Sequence, residues 1–225
     1  MLYIFSETES FTECDLAGLW PLLSEQRAKR VDKYHYFKDR KLSALAYILL
    51  RYALIEEYDI NDKVEFEFGP YGKPFIKGLP ELQFNLSHTA GGVVCGLSNT
   101  PIGVDIADVT VSNLDCIKTA MHPAEQKIIA LSNDKARTFA RFWSMKESYL
   151  KYTGTGIGEN IYSINFSDFN ENLFDYKNGK MQVIDCEKTV VSAFCAEVLA
   201  IKHLTKIDLF EFLIGEPQYG KLAYA

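Results

Sequence analysis

Hydrophobic residues recur every three or four positions through residues 39–58, and this spacing predicts a long helix with one apolar face. The alternation of apolar and acidic residues at 64–68 instead predicts a half-buried strand. The same criteria predict further helices at 24–36, 114–120, 124–131 and 135–152. They predict further strands at 2–6, 82–84, 93–97, 102–106, 161–166, 181–184, 190–199 and 207–212. Because many strands follow one another through short turns, the pattern favours an α+β fold with antiparallel pairing.

The composition is typical of a globular protein, with 48% hydrophobic and 24% charged residues. At 225 residues the chain could form one large domain or two small ones, and no low-complexity linker divides it. No apolar run approaches the roughly 20 residues that span a bilayer, and acids near the N-terminus argue against a secretory signal. The five cysteines are widely spaced and include no CxxC pair, which favours a reducing cytoplasm over a disulfide framework.

The net charge of −6 argues against a general nucleic-acid binder, but residues 25–41 are locally basic. Within this segment seven basic residues face three acidic ones, Glu25, Asp32 and Asp39. The basic residues are Arg27, Lys29, Arg30, Lys33, Lys38, Arg40 and Lys41. The helix predicted here either presents a solvated basic face or uses its arginines to bind an anion such as phosphate.

Four side chains at intervals of four residues would form one stripe along the helix predicted at 135–152. They are Phe139, Trp143, Glu147 and Lys151. The aromatic end of the stripe should enter the core and carry the charged end to its edge. A carboxylate held there is costly unless it pairs with a cation, binds a metal or takes part in proton transfer. The alternative is a solvated ion pair between Glu147 and Lys151, which have the spacing and order favoured on helix surfaces.

Asp105 lies in the strand predicted at 102–106, where alternation places Gly103 and Ala107 on its own face. These small neighbours would leave room beside the carboxylate for a ligand. Magnesium commonly takes one or two carboxylates and leaves its other positions to phosphate and water. Asp105 and Glu147 would form such a pair if the fold brings them together. The alternative for Asp105 is a turn hydrogen bond at the end of a strand.

Two polar segments could present groups to an anion. Ser87 and His88 follow a short strand, and the alternative for His88 is an ordinary loop histidine. Lys73 lies in a turn between a glycine and a proline, and its alternative is a solvent-exposed turn lysine. Glycines also follow the helix predicted at 135–152, where they would end the helix and let the backbone approach a ligand. They occupy positions 154, 156 and 158.

Four motifs follow one another along the chain. They read Tyr-Gly-Lys-Pro at 71–74, Phe-Asn-Leu-Ser-His at 84–88, Gly-Val-Asp-Ile at 103–106, and Phe-x3-Trp-x2-Lys-Glu-x3-Lys-x2-Gly-x-Gly at 139–156. In this order and spacing they resemble the motifs of the 4′-phosphopantetheinyl transferases. The chain length and the full set of motifs are similar to the larger, monomeric class, which acts on peptide and polyketide synthase carrier proteins.

The resemblance implies an enzyme that transfers the 4′-phosphopantetheine group of coenzyme A to a serine of an apo carrier protein and releases adenosine 3′,5′-bisphosphate. It also implies a fold of two similar α+β halves that form a pseudo-dimer with the active site in the cleft between them. We expect these halves at 1–104, which would bind the coenzyme A phosphates, and at 105–225, which would carry the metal and the catalytic helix.

Residue by residue, the resemblance makes Asp105 and Glu147 the ligands of Mg²⁺, with Glu147 also acting as the general base toward the carrier serine. It places Lys151 beside the pyrophosphate, so that Asp105, Glu147 and Lys151 form the catalytic set. The positions that would bind coenzyme A are Arg27, Arg30, Lys73, Ser87, His88 and Lys151.

The sequence departs from the family pattern at Ala107. The family often has a second acid two residues after the strand aspartate, and Asp108 should project from the opposite face of the strand, where it could not replace that acid. We therefore expect a magnesium site with one fewer protein carboxylate, in which water or another side chain fills the open position.

Two other classes of function remain to be weighed. One is a noncatalytic module that binds a carrier protein or coenzyme A through a degenerate metal site, and the presence of Glu147 and Lys151 argues against it. The other is a different magnesium-dependent phosphate enzyme, such as a nucleotidyl transferase. The sequence has no P-loop glycine pattern, which weighs against that class.

Overall fold

The structure, a computed structural model, describes residues 1–111, 116–156 and 161–214. Its strands are β1 (Leu2–Phe5), β2 (Phe66–Phe68), β3 (Pro74–Ile76), β4 (Gln83–Thr89), β5 (Gly92–Ser98), β6 (Ile102–Asp108), β7 (Leu173–Tyr176), β8 (Gly179–Asp185), β9 (Thr189–Cys195) and β10 (Ile201–Leu204). Its helices are α1 (Glu13–Leu19), α2 (Glu25–Val31), α3 (Phe37–Tyr58), α4 (Ile117–Ala120), α5 (Pro123–Leu131), α6 (Lys135–Thr153) and α7 (Lys206–Ile214). Two predicted features, the first residues of the helix at 114–120 and Gly158, lie outside the described residues.

The described strands form two four-stranded sheets and a separate β2–β3 hairpin. The first sheet has the order β10-β1-β5-β4, and the second has the order β6-β9-β8-β7. Strands β1 and β10 run parallel, whereas the other described pairs are antiparallel. The predicted α+β fold with largely antiparallel sheets is therefore confirmed.

A long helix covers one face of each sheet. Helix α3 packs on the first sheet, and its residues 42–54 are all buried, because other helices cover the side that faces away from the sheet. Helix α6 packs on β6 and β9 of the second sheet, where Phe139, Phe142 and Phe194 are buried in a second core. The two halves thus share one layout of helix on sheet.

A third core joins the two sheets through their remaining faces. Ile4 of β1 and Val94 of β5 pack there with Val104 of β6 and Val191 of β9. The alternation predicted for β6 is thereby realised, because its apolar side chains enter this core. Gly103, Asp105 and Ala107 consequently face the other way, toward α6.

The C-terminal part of the described chain returns to the first sheet. Strand β10 adds to the edge of β1, and α7 packs against α3. Leu209 and Phe210 of α7 enter the first core, and the rings of Tyr52 and Phe212 lie 4.4 Å apart. Residues 201–214 therefore complete the half of the molecule that contains the N-terminus.

Two predicted strands are wrong. Residues 161–166 begin with a short 3-10 turn, Ile161–Ser163, and the Phe166 amide donates to a buried Glu125 carboxylate rather than to a neighbouring strand. Residues 207–212 belong to α7, because Thr205 and Asp208 cap each other's main-chain amides at the start of that helix.

Several element boundaries also differ from the predictions. The helix predicted at 24–36 ends at Val31, and α1, β3, β7 and β10 were not predicted. The signal for α1 was present in the sequence, because Thr12 and Asp15 form a capping box at its start. Among the described residues, no helix has both the length and the apolar character that a membrane span requires.

Candidate active site

Three secondary-structure elements bring Asp105, Ser87 and Lys151 together. Asp105 lies on β6, Ser87 on β4 and Lys151 on α6. Ser87 Oγ donates a hydrogen bond of 2.7 Å to Asp105 Oδ1, and Lys151 Nζ donates one of 2.6 Å to the same oxygen. Lys151 Nζ lies 2.9 Å from Ser87 Oγ as well. One carboxylate oxygen of Asp105 is therefore held by both of its neighbours.

Strand β4 is positioned beside β6 by its own side chains. The Asn85 side-chain oxygen accepts a hydrogen bond of 2.8 Å from the main-chain amide of Val104. This contact, together with the Ser87–Asp105 bond, joins the two strands at the junction between the halves. The expectation that Ser87 and His88 lie in a loop is wrong, because both belong to β4.

Each of the two carboxylates in the site has one buried oxygen without a partner in the described part of the chain. These atoms are Asp105 Oδ2 and Glu147 Oε1. Both residues are only 5% exposed, so solvent satisfies neither oxygen to any great extent. A buried carboxylate oxygen without a donor is costly, and the pair therefore has the character of a cation site.

Burial changes the acidity of both groups, and the charge of Asp105 also acts on Glu147. Burial and, to a smaller extent, the nearby Asp105 charge together raise the pKa of Glu147 to about 7, while Lys151 acts in the opposite direction. Burial also raises the pKa of Asp105, against the opposing effect of Lys151. Two carboxylates that disfavour each other's charge are expected where a cation or a proton is to be held.

Lys151 pairs with Asp105 rather than with the glutamate one turn before it on α6. The ion pair predicted as the alternative, between Glu147 and Lys151, would have placed both groups at the surface. The Lys151 side chain is instead 28% exposed and reaches across to β6, where the Asp105 side chain is 7% exposed. The stripe on α6 is otherwise as predicted, because the rings of Phe139 and Trp143 stack with centroids 6.0 Å apart.

Gly103 allows α6 to approach β6 closely. A Cβ atom at this position would lie 2.0 Å from the main-chain oxygen of Ser148 and 2.3 Å from the main-chain nitrogen of Tyr152. The expectation that this glycine leaves room for a ligand is therefore wrong, since the helix backbone occupies that space. The close approach is what places the charged end of α6 beside Asp105.

Lys73 links the loop before β3 to the end of α6. Its Nζ donates to the main-chain oxygens of Ile102, at 3.1 Å, and of Tyr152, at 3.3 Å. Burial lowers the pKa of this half-buried lysine. The same loop borders a cavity of about 300 Å³, which opens onto both Glu147 and Lys151. Its other walls include Tyr71, Gly72, Pro74, Asn85, Leu86, Gly154 and Gly156.

A second, basic cavity of about 610 Å³ lies between α2 and β2. Its charged walls are Arg27, Lys29, Arg30 and Lys33. Arg27 is buried, and its guanidinium lies 5.0 Å from the centre of the Phe66 ring. Burial lowers the pKa of Arg27 to about 10, with a contribution from the charge of Arg30. The local excess of positive charge in the sequence therefore becomes a basic groove.

His88 experiences the charges of both the basic groove and the carboxylate site. The residue reaches the surface, yet partial burial of its ring lowers its pKa, and the charges of Lys151, Arg27 and Arg30 lower it further. These four groups thus act on one region of space. An anionic ligand there would be attracted by all of the charged members.

Ala107 and Asp108 lie as the strand alternation predicts. Ala107 is buried in the second core. Asp108 instead accepts hydrogen bonds from the Thr89 hydroxyl and the Gly91 amide, so it holds the β4–β5 hairpin and not the site. No group of three or more His, Cys, Asp or Glu side chains able to hold a metal occurs in the described ranges.

One charged pair was missed in the sequence. Lys146 and Glu125 form a fully buried ion pair of 2.7 Å directly beside the site glutamate on α6. Lys146 belongs to the fourth motif, but nothing in its spacing identifies a partner on α5. The only local signal was the capping box that Glu125 forms with His122 at the start of α5.

Two family models match consecutive parts of this chain. The model described as the N-terminal part of 4′-phosphopantetheinyl transferase matches residues 10–100, and the 4′-phosphopantetheinyl transferase superfamily model matches residues 101–205. The boundary between them falls between β5 and β6, where the chain passes from the first sheet to the second.

Individual relatives carry the same family description. The chain is 28% identical over 138 residues to 4′-phosphopantetheinyl transferase Sfp of Bacillus subtilis strain 168. The aligned region covers 60% of this chain and 62% of that protein. It is 29% identical over 177 residues to transferase psf-1 of Bacillus pumilus, covering 77% and 73%. It is 32% identical over 140 residues to transferase gsp of Aneurinibacillus migulanus, covering 60% and 57%. The match thus spans less than two thirds of the length of the first and the third of these relatives.

Two helix-on-sheet halves, with a carboxylate pair at their junction and a basic groove on the first half, define a two-part α+β protein with a site suited to a metal and an anionic ligand. With the matches over residues 10–205, the chain belongs to the 4′-phosphopantetheinyl transferase superfamily, in its larger class.

Proposed function

We propose that the protein transfers the 4′-phosphopantetheine group of coenzyme A to a serine of an apo carrier protein and releases adenosine 3′,5′-bisphosphate. The observation that carries the proposal is a pair of buried carboxylate oxygens, on Asp105 and Glu147, that have no partner in the described part of the chain. Lys151 contacts Asp105, and both Lys151 and Glu147 border a cavity. Phosphoryl transfer depends on positioning and charge neutralisation, and this arrangement offers both.

The two carboxylates fit a magnesium ion. Both are hard oxygen ligands, and each has a buried oxygen to which no described residue donates a hydrogen bond. A divalent cation would also relieve the repulsion that Glu147 experiences from Asp105. We assign Asp105 and Glu147 as the protein ligands, with water or a substrate oxygen where Ala107 offers no carboxylate. When bound, Mg²⁺ would neutralise charge on the pyrophosphate.

The phosphates of coenzyme A would lie along the basic side of the site. We assign Arg27, Arg30 and His88 to the nucleotide phosphate, because their charges act on one region. Ser87 and Lys151 are assigned to the pyrophosphate. We also assign Lys73 to the phosphates. Its ammonium would give up a hydrogen bond to a main-chain oxygen and donate to a phosphate oxygen instead.

The chemical step requires the loss of one proton from the carrier serine. Its Oγ bonds to the phosphorus that bears the pantetheine arm, and the bond from this phosphorus to the bridging oxygen breaks, leaving the electron pair on the bisphosphate. The Glu147 carboxylate would accept the serine proton, because it is buried on α6 and borders the cavity in which the reacting groups would meet. Lys151 would hold the leaving oxygens by its charge.

The division of labour would follow two segments of the chain, although residues 201–214 of the second segment pack with the first half. Residues 1–104 would supply most of the groups that bind the coenzyme A phosphates. Residues 105–225 would supply the metal ligands and the catalytic helix α6. We expect a monomer, because the site is formed within one chain and needs no second copy. We also expect the protein to act in the cytoplasm, because its widely spaced cysteines suit a reducing compartment.

Mass spectrometry of the carrier tests the proposal. The protein is incubated with coenzyme A, Mg²⁺ and each of several apo carriers, and a carrier whose acceptor serine is replaced by alanine serves as the control. We expect the intact carriers to gain the mass of phosphopantetheine and the alanine control to gain nothing. Binding of coenzyme A without any mass gain, across all carriers, would support a noncatalytic binding module instead.

A further inference from the structure

The Lys151 ammonium lies where a metal cation would be expected to act. Its Nζ is 2.6 Å from Asp105 Oδ1, and the two side chains form an ion pair between α6 and β6. Asp105 is one of the two carboxylates that we propose as metal ligands. The lysine therefore supplies positive charge to a group whose proposed partner is Mg²⁺.

The other cationic side chains close to the site are engaged elsewhere. Lys73 Nζ donates to two main-chain oxygens, and Arg27 is held among aromatic rings with weak contacts to Ser43. In the described part of the chain, Lys151 is thus the cation in direct contact with Asp105. Lys151 acts on Glu147 only through the longer-range effect of its charge, and Glu147 Oε1 has no hydrogen-bond partner among the described residues.

We propose that Lys151 is an internal counter-ion, which competes with Mg²⁺ for Asp105 in the free protein and leaves this carboxylate when the coenzyme A phosphates arrive. The inference rests on the proposed function for the identity of the ligands. It adds a specific relation between them: the lysine that binds the phosphates is the group that weakens metal binding before they arrive.

The competition follows from charge and hydrogen bonding. A cation that shares Asp105 with an ammonium is repelled by it, and it must also replace a short charge-assisted hydrogen bond. Both costs disappear when Lys151 moves to an anionic phosphate, which gains the same ammonium as a donor. Metal and coenzyme A should therefore strengthen each other's binding, and by linkage the effect is equal in both directions.

The geometry allows this exchange over a short path. Lys151 borders the same cavity as Glu147, and its side chain is 28% exposed, so its ammonium can turn from β6 toward the cavity. Ser87 would keep its hydrogen bond to Asp105 during the exchange and hold the carboxylate in place.

Magnesium titration of the free protein, without coenzyme A or carrier, tests the inference. Isothermal calorimetry is applied to the wild type and to the variants Lys151→Met, Lys151→Arg and Lys73→Met. We expect Lys151→Met to bind Mg²⁺ about tenfold more tightly or better, because a charge-assisted hydrogen bond no longer has to be broken. Lys151→Arg, which keeps the charge, and Lys73→Met, which removes a cation that touches no carboxylate, should stay close to the wild type.

Two further variants ensure that the titration can refute the inference. Replacing Asp105 with asparagine in the Lys151→Met background should abolish the gain in affinity. If Lys151→Met does not fold, as judged by its thermal transition, Lys151→Gln replaces it with the same expectation. An affinity in the charge-removing variant equal to or weaker than that of the wild type, including no measurable binding in either, overturns the inference.

The proposed function and this inference fail in different ways. A wild-type protein that modifies no carrier refutes the transferase proposal, whatever the titration gives. An unchanged magnesium affinity refutes the counter-ion, even if the carrier is modified normally. The two measurements share no readout.

Discussion

Lys146 Nζ lies 2.7 Å from Glu125 Oε2, and neither side chain has any exposed area. The same ammonium donates to the main-chain oxygens of Ala120 and Ile161, at 2.9 and 3.0 Å, and Glu125 Oε1 accepts from the Phe166 amide. The pair therefore ties α6 to the start of α5 and to the segment that follows the site helix. Its hydrogen bonds are satisfied, which is the condition under which a buried ion pair is tolerated.

Removing one partner of this ion pair should lower the free energy of unfolding more than replacing both partners with apolar residues. We expect Lys146→Met or Glu125→Gln alone to lower the free energy of unfolding by about 3–5 kcal/mol, because each leaves a buried polar group without its partner. The double change Lys146→Met with Glu125→Leu should recover only the part of that loss that comes from the uncompensated charge, since the main-chain oxygens of Ala120 and Ile161 and the Phe166 amide still lose these partners. Urea denaturation measures all three. Single variants that lose less than about 1 kcal/mol, the value of a surface pair, would contradict this account.

The stability of the metal-free protein should fall between about pH 4.5 and pH 7 because of Glu147. Its pKa is raised from 4.5 to about 7 on folding, so the folded state binds the proton more tightly than the unfolded state does. The contribution is complete below the unfolded pKa and is lost as the pH rises through the folded value. Glu147→Gln removes this dependence and should be more stable than the wild type by about 3 kcal/mol at pH 8, but not at pH 4.

Urea denaturation at both pH values, in a chelating buffer, measures the difference. Glu81→Gln, a change at an exposed glutamate, is the control and should follow the wild type. A Glu147→Gln advantage of the same size at both pH values would show that the effect does not arise from titration of this carboxyl group.

Alanine at position 103 should displace α6. Its Cβ would lie 2.0 Å from the main-chain oxygen of Ser148, and a main-chain contact of that kind is relieved only by moving the helix. We expect a loss of about 1–3 kcal/mol in unfolding free energy and a marked loss of carrier modification. The matched control is Gly69→Ala, whose Cβ would meet the Lys73 main-chain oxygen at an ordinary 3.6 Å. Equal behaviour of the two variants would contradict the packing argument.

Restoring an acid at position 107 should strengthen magnesium binding. Ala107 shares the face of Asp105, so Ala107→Glu places a third carboxylate near the site, whereas Ala107→Gln adds the same bulk without charge. We expect half-maximal activity of the glutamate variant at a lower Mg²⁺ concentration than that of the glutamine variant. The same magnesium requirement in both would mean that the missing carboxylate does not limit metal binding.

The secondary structure could be predicted from the sequence where the hydrophobic residues have a strong, regular spacing. The alternation in β6 placed Asp105 opposite the inter-sheet core, and the stripe on α6 placed Phe139 inside. The prediction failed at 207–212, where apolar spacing suggested a strand but the reciprocal caps of Thr205 and Asp208 start a helix. A short segment has little periodic signal, and local capping then decides its structure.

The members of the candidate site could be named in advance, but their mutual contacts could not. The motifs indicated Asp105, Glu147 and Lys151 one by one, and helix spacing suggested that the last two would pair. Lys151 instead pairs with Asp105, 46 positions away, because the tight packing at Gly103 brings β6 beside α6. The Glu125–Lys146 pair was missed for a similar reason, since its partners lie on different helices.

The central claim is that Glu147 acts in phosphopantetheine transfer, and one comparison tests it most directly. The rate at which an apo carrier gains the phosphopantetheine mass is measured with the wild type and with Glu147→Gln, at saturating coenzyme A and Mg²⁺. We predict modification by the wild type and a rate at least about 100-fold lower for the variant, with its fold intact. Equal rates for the two proteins, or no modification by the wild type, would contradict the account.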